Sequence, residues 1–235
     1  MEKFYKYILF MVFFTTIHCN LYSQEQKFKF GIYAGGGFTN YNVNYDYGIR
    51  GMDTSYISDM RFTYNICVFF RYDFVKNLGL RADIQFLKQG GSVSTNRIGS
   101  ADSLTPVSRT YSSYIDYFKL DLSPQINFLI SNDATLFANA GGYMAVKIGS
   151  TQINEATSNL QYLKYEQDIS NNLKVTDAGL TFGIGIELKT NKEIGIMAGI
   201  RYNLGLQNIL DIPQTGDKIK VTNNSITFNI GIITF

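Results

Sequence analysis

The 235-residue chain is 45% hydrophobic, 15% aromatic and only 17% charged, with 21 Gly, 3 Pro and no Trp. That aromatic content argues against disorder, and a mean hydropathy of −0.06 argues against a bundle of membrane-spanning helices. A net charge of +2 excludes the strongly basic balance typical of nucleic-acid binding.

Residues 1–23 read as a secretory signal peptide. Lys3 and Lys6 precede an apolar run from Tyr7 to Ile17, and a polar stretch leads to a cleavage point at Ser23-Gln24. Cys19 is a candidate lipidation cysteine, although no small residue stands just before it. Cleavage removes the only histidine, His18, and leaves Cys67 as a lone thiol that can form no intramolecular disulfide. Residues 24–235 form one domain. No later segment holds the run of about 18 apolar residues that a helical span requires.

From there the period is two. Runs at 28–38, 61–74, 78–88, 118–128, 136–148, 178–188, 194–206 and 226–232 alternate an apolar face with a polar or small one. In 61–74, for example, Phe62, Tyr64, Ile66, Val68, Phe70 and Tyr72 oppose Thr63, Asn65, Cys67, Phe69, Arg71 and Asp73. Such alternation specifies strands and is incompatible with a helix. Short Asn/Asp turns at Lys76-Asn77, Ser131-Asn132-Asp133 and Asn191-Lys192 alternate with four long polar segments at 40–60, 90–113, 149–175 and 207–224, read as loops. Short turns on one rim and long extracellular loops on the other are the pattern of an outer-membrane barrel. The expected fold is therefore all-β: an eight-stranded, antiparallel, up-and-down transmembrane barrel.

Lipid offers no partner to an open strand edge, so a sheet that spans it must close. The polar face carries Lys29, Arg71, Asp73, Arg81, Asp83, Lys119, Asp121, Lys147, Glu187 and Arg201. Each Arg or Lys facing lipid costs roughly 2–4 kcal/mol at the midplane, so the charged face must point inward, where opposite signs can pair. Eight strands leave an interior that side chains can fill. A soluble lipocalin-like barrel, with the faces reversed, is the structural rival. Aromatics near strand ends, among them Phe62, Tyr64, Tyr72, Phe74 and Phe128, are candidates for interfacial girdles or simply for β-propensity.

The first run, Phe28-Lys29-Phe30-Gly31-Ile32-Tyr33-Ala34-Gly35-Gly36, and the last segment, Asn229-Ile230-Gly231-Ile232-Ile233-Thr234-Phe235, bracket these strands. The chain resembles the PorT-like family of small outer-membrane β-barrel proteins over nearly its whole mature length. The resemblance implies residence in the outer membrane of a Gram-negative bacterium, and some members are linked to protein secretion across that membrane. The terminal Phe235 resembles the signal read by the barrel assembly machinery. It departs from that signal in parity, since Phe235 falls on the face opposite Ile226, Phe228, Ile230 and Ile232. Either the last strand has a bulge or Phe235 lies just past the wall.

Without histidine the mature chain lacks the base of Ser–His–Asp or Cys–His catalysis and any histidine metal ligand. No phosphate-binding loop is present. No catalytic, metal or cofactor site is expected. The inward charges Arg71, Asp73, Arg81, Asp83, Lys119, Asp121, Lys147, Glu187 and Arg201 are expected to form a paired structural network; the other reading is a narrow ion path. The expected function is a non-enzymatic structural or interaction role in the envelope, with a small passive channel as the alternative and an outer-membrane enzyme as a disfavoured third. Expected partners are outer-membrane lipid, the assembly machinery during biogenesis, and an envelope protein or glycan at the loops, with no nucleic acid.

Overall fold

The computed structural model describes residues 27–46, 56–97, 107–157, 162–191, 193–211 and 218–234. The signal peptide at 1–23, including Cys19, and the terminal Phe235 lie outside the described residues. Ten strands are present: β1 (Lys27–Asp46), β2 (Tyr56–Asp59), β3 (Arg61–Val75), β4 (Leu78–Arg97), β5 (Val107–Leu129), β6 (Ala134–Thr157), β7 (Tyr162–Asp168), β8 (Thr176–Lys189), β9 (Ile194–Gly205) and β10 (Lys218–Thr234). β2 and β3 share one neighbour, β4, and β7 and β8 share β6, so each pair makes a single interrupted stave. The result is a closed, antiparallel barrel of eight staves. Closure comes from β1 against β10, in unbroken register from Gly31↔Ile233 to Asp46↔Lys218.

The faces settle which way the barrel is turned. Phe30, Ile32, Ile66, Leu120, Leu122, Ile184, Ile230 and Ile232 stand exposed on the outside, while Arg71, Arg81, Asp83, Lys119, Asp121 and Glu187 are buried within. A lipocalin-like arrangement would reverse both lists, so it is excluded. On β3 the outward face runs from Phe62 to Phe74. At ~3.3 Å per residue and a tilt of ~40° that interval rises about 30 Å, the thickness of a bilayer's hydrocarbon core. Aromatics cluster at both ends of it. Phe70 meets Phe28 and Phe30 at 6.1 and 5.4 Å near the short-turn rim, and Tyr64 meets Phe86 at 6.5 Å near the other. Just beyond Phe86 an outward ion pair, Lys88 with Asp116 at 3.6 Å, marks the return of polar surface.

The short turns are held locally. Asn191 Oδ1 accepts from the backbone N–H of Glu193 at 2.9 Å and of Ile194 at 2.7 Å, and Ser131 Oγ accepts from the N–H of Asp133 at 3.3 Å. At the opposite end the expectation of four long loops is corrected. The ladder continues through much of 40–60, 90–113, 149–175 and 207–224, for instance from Gly90↔Tyr114 to Arg97↔Val107 and from Thr151↔Asp168 to Thr157↔Tyr162. β5 and β6 reach 23 and 24 residues, about twice what a tilted span needs. The polar composition of these segments marks where the wall leaves lipid. It does not mark where pairing stops, because antiparallel strands rich in Thr, Ser and Tyr pair equally well in water.

Two glycines show how tightly the wall closes. A Cβ on Gly37 would strike the Ile226 carbonyl of β10, and one on Gly231 would strike the Ile32 carbonyl of β1. The orientation carries a prediction. Leu122→Arg places a charge on the lipid face and is expected to lower unfolding stability in vesicles by roughly 2–4 kcal/mol, measured by urea titration; an unchanged midpoint would contradict the facing assigned here.

Candidate functional site

The lumen has tiers. Nearest the short-turn rim, Arg71 on β3 reaches across to Glu187 on β8 in a bidentate pair, one arm of which measures 3.0 Å. Its Nε also lies 3.0 Å from Asp73, which receives Lys29 at 3.7 Å. Above this is an apolar layer of Tyr33, Cys67, Phe69, Phe137, Met197 and Ile233. The next tier centres on Arg201 of β9. It bonds Asp121 of β5 at 2.8 Å and Asp83 of β4, while Asp83 also accepts from Arg81 Nε at 2.7 Å. Lys119 sits 3.3 Å from Asp121 and donates to Asn203 at 2.7 Å. Gln85 donates to Asp121, and the Tyr33 hydroxyl donates to Asp83 at 3.2 Å.

Of the charges singled out in the sequence, Arg71, Asp73, Arg81, Asp83, Lys119, Asp121, Glu187 and Arg201 are thus brought into two connected groups. Lys147 is not among them. Its ammonium donates to the backbone carbonyls of Ser170 and Leu173 at 2.5 and 2.7 Å and clamps the segment between β7 and β8. The cause is remote in sequence: that segment folds inward over the mouth and brings two carbonyls to Lys147, with the Asp168 carboxylate near enough to feel its charge.

The inward excursion makes a cap. Ile169, Leu173 and Ile209 pack on Tyr41, Ile115, Tyr117, Tyr143 and Val221, all buried. A bridge joins Leu173 to Leu210, Lys174 N–H donates to the Ile209 carbonyl at 2.8 Å, and Ile209 N–H donates to the Val221 carbonyl at 2.9 Å. The two long-end connections therefore hold each other across the opening. Beneath the cap lies a carboxylate that the sequence reading missed. Asp177 is 1% exposed and accepts from Asn223 Nδ2 at 3.2 Å, with Tyr117 on the same amide at 3.1 Å. Its position two residues before Gly179, on the polar parity of β8, was the available signal; the apolar run begins one residue later and hid it.

Outside the lipid zone the β6–β7 extension is exposed along all of β7. Lys164 hydrogen-bonds Glu155 at 3.1 Å and, with the Tyr162 hydroxyl, holds that carboxyl below the usual range. Tyr162, Leu163 and Tyr165 are large exposed side chains on this strand. Among the described residues no cluster of metal-ligating side chains occurs. On β10, Gly231 and the fully buried Ile233 face inward, with no register break against β1 or β9 as far as the described residues run. A bulge before Thr234 is thereby ruled out as the explanation for the parity of the C-terminus.

A family model described as outer membrane protein beta-barrel domain matches residues 22–211. Among solved structures, similarity is found to the outer membrane protein OprG from Pseudomonas aeruginosa, at 15% identity and a TM-score of 0.46, covering 87% of this chain and 94% of that one. It is also found to Neisserial surface protein A, at 12% identity and a TM-score of 0.37, covering 90% and 99%. The attachment invasion locus protein Ail of Yersinia pestis follows at 15% identity and a TM-score of 0.31, covering 87% and 97%. No curated protein matches the sequence.

The cross-lumen pair carries the next prediction. Glu187→Met removes one of the two carboxylates that Arg71 contacts and leaves it with Asp73, which is expected to cost about 3 kcal/mol, whereas Arg71→Met/Glu187→Met removes both charges of the cross-lumen pair and recovers part of that loss. Unfolding midpoints of the two variants, followed by gel mobility of folded and boiled samples, measure the difference.

Proposed function

Since the chain belongs to the outer membrane protein beta-barrel domain family and its wall lies in the outer membrane of a Gram-negative bacterium, we propose that it is a closed, non-enzymatic barrel with a structural or interaction role in the envelope. The observation that carries this reading is the double obstruction of the lumen. Arg201, Asp83, Asp121 and Lys119 fill its middle with mutually bonded side chains, and Ile169, Leu173 and Ile209 cap its mouth. An ion crossing here must part buried, bonded charges and displace an apolar cap. In this reading the capped end faces the cell exterior, and the β6–β7 extension is the surface that meets an envelope protein or glycan.

A porin-like channel is the second reading. It is favoured by buried polar atoms without a hydrogen-bond partner among the described residues, such as both amide atoms of Asn65 and Oδ1 of Asp177, which point to a lumen that holds water. A narrower role in protein secretion rests on the resemblance to PorT-like proteins alone. Comparing the secreted proteins of wild-type and deletion strains tests it, and an unaltered profile would remove that reading.

Planar-bilayer recording separates closed barrel from channel. The purified protein is expected to give no stable conductance steps. Reproducible steps of one size that vanish with an Arg201 variant would establish the channel instead.

A further inference from the structure

Above the cap, the two faces of the wall differ in chemistry. Across β5, β6 and β7 the register sets Tyr111, Asn154 and Tyr165 side by side in one row, and Ser113, Gln152 and Gln167 side by side in the next. Ser150 lies on the same face of β6, and its hydroxyl is 2.9 Å from that of Ser170 in the inward-folded segment. Both rows therefore face the mouth of the barrel, immediately above the cap. Glu155, Lys164 and Glu166 alternate with them and stand on the opposite face, where Lys164 pairs with Glu155 at 3.1 Å. On these three strands the first charge of the mouth-facing side comes one row further out, where Arg109, Ala156 and Leu163 align.

The two rows combine aromatic rings with uncharged groups that donate and accept. Tyr165 is exposed and Tyr111 half-buried. Asn154 between them is buried, and its Nδ2 has no hydrogen-bond partner among the described residues. Gln167 Nε2 donates to Gln152 Oε1 at 3.1 Å, which leaves Gln152 Nε2 to donate and Gln167 Oε1 to accept.

We propose that these two rows form a binding site for a neutral oligosaccharide. The site lies within the β6–β7 extension already assigned to recognition, and it depends on that reading. Sugar rings offer C–H faces that stack on tyrosine, and hydroxyls that donate and accept as the amides of Gln152 and Gln167 do. Neither row holds a charge, so a sulfated, phosphorylated or acidic ligand finds no counter-ion among these six residues. The rows cover about 10 Å across the strands and about 7 Å along them, the footprint of a disaccharide. A stable protein partner needs about 800 Å² on each side, roughly ten times that area. The ladder fixes both tyrosines before any ligand arrives, which lowers the entropy lost on binding.

The test is binding of maltohexaose, cellohexaose and chitohexaose to the full barrel in nanodiscs, read by saturation-transfer NMR and calorimetry. At least one is expected to bind with a millimolar dissociation constant that salt does not change. Tyr165→Ala is expected to weaken that binding about tenfold. Tyr162→Ala, on the opposite face of the same strand, is expected to leave it unchanged. Both variants are first shown to fold by the mobility shift between unboiled and boiled samples. Binding of none of the three, equal loss in both variants, or binding to sulfated heparin alone that disappears with salt, overturns the site. A photo-crosslinker placed at Tyr162 separates this site from the reading it depends on. An envelope protein captured there while no oligosaccharide binds overturns the glycan site and leaves the extension a recognition surface. With neither a captured protein nor a bound sugar, both fail.

Discussion

Arg201 holds Asp83 and Asp121 at once, and the interior is organised around that bridge. The two carboxylates stand directly opposite each other on β4 and β5, as Arg71 and Arg81 do on β3 and β4. Like charges side by side in a low-dielectric lumen repel. Part of the relief comes along the wall, since Arg71, Arg81 and Lys119 each contact a carboxylate two residues on in the same strand. The rest comes from across the lumen, where β9 supplies Arg201 and β8 supplies Glu187. The pairs span 118 and 116 residues of sequence, so they bind distant staves into one register. A one-residue slip of any of these strands would turn its charge into lipid and strand its partner. Buried ion pairs are weak contributors to net stability, and their effect here is better described as selecting one register.

The same rule explains why the barrel is obstructed differently at its two levels. Within the membrane zone, polar side chains must be inside, so the lumen fills with charge. Above it, the outer face is free to be polar and the inner face is free to be apolar. Ile169, Leu173 and Ile209 exploit that freedom and gather over Ile115 and Tyr117. Lys147 then works as a clamp: it stands at the level where the charged fill gives way to the cap, and its partners are the carbonyls of the inward segment.

Period two made much of this legible from the sequence. It separates Ile66 from Cys67 and Leu122 from Asp121, which fixes strand count, facing and the inventory of inward charges. It is silent about partners, because alternation along a strand says nothing of which stave lies across the lumen. That Arg201 bridges two aspartates, or that Lys147 bonds backbone carbonyls, depends on shear and on an inward-folded segment. Alternation also misjudged length. Asn40 to Asp46, where Tyr41, Val43 and Tyr45 alternate with asparagines, and Ser150 to Thr157, which lacks an apolar face, read as loops, yet both are paired strands. Asp177 was lost for a related reason, since it precedes the first apolar residue of its run.

These constraints narrow where recognition can happen. Over the membrane zone the wall meets acyl chains, and its side chains are committed to lipid. The lumen is occupied by its own bonds. The short-turn rim offers little beyond tight, locally bonded turns such as that at Asn191. What remains is the extension above the cap, where Tyr162, Leu163 and Tyr165 stand exposed on β7. Because β7 is a paired strand and not a free loop, those side chains are already fixed in position relative to one another. A surface ordered in advance loses less entropy when it binds than a loop that must first settle. Tyr162 stands on one face of that ladder and Leu163 and Tyr165 on the other, so the long ladders that the sequence disguised as loops give the extension two ordered, exposed faces among the described residues.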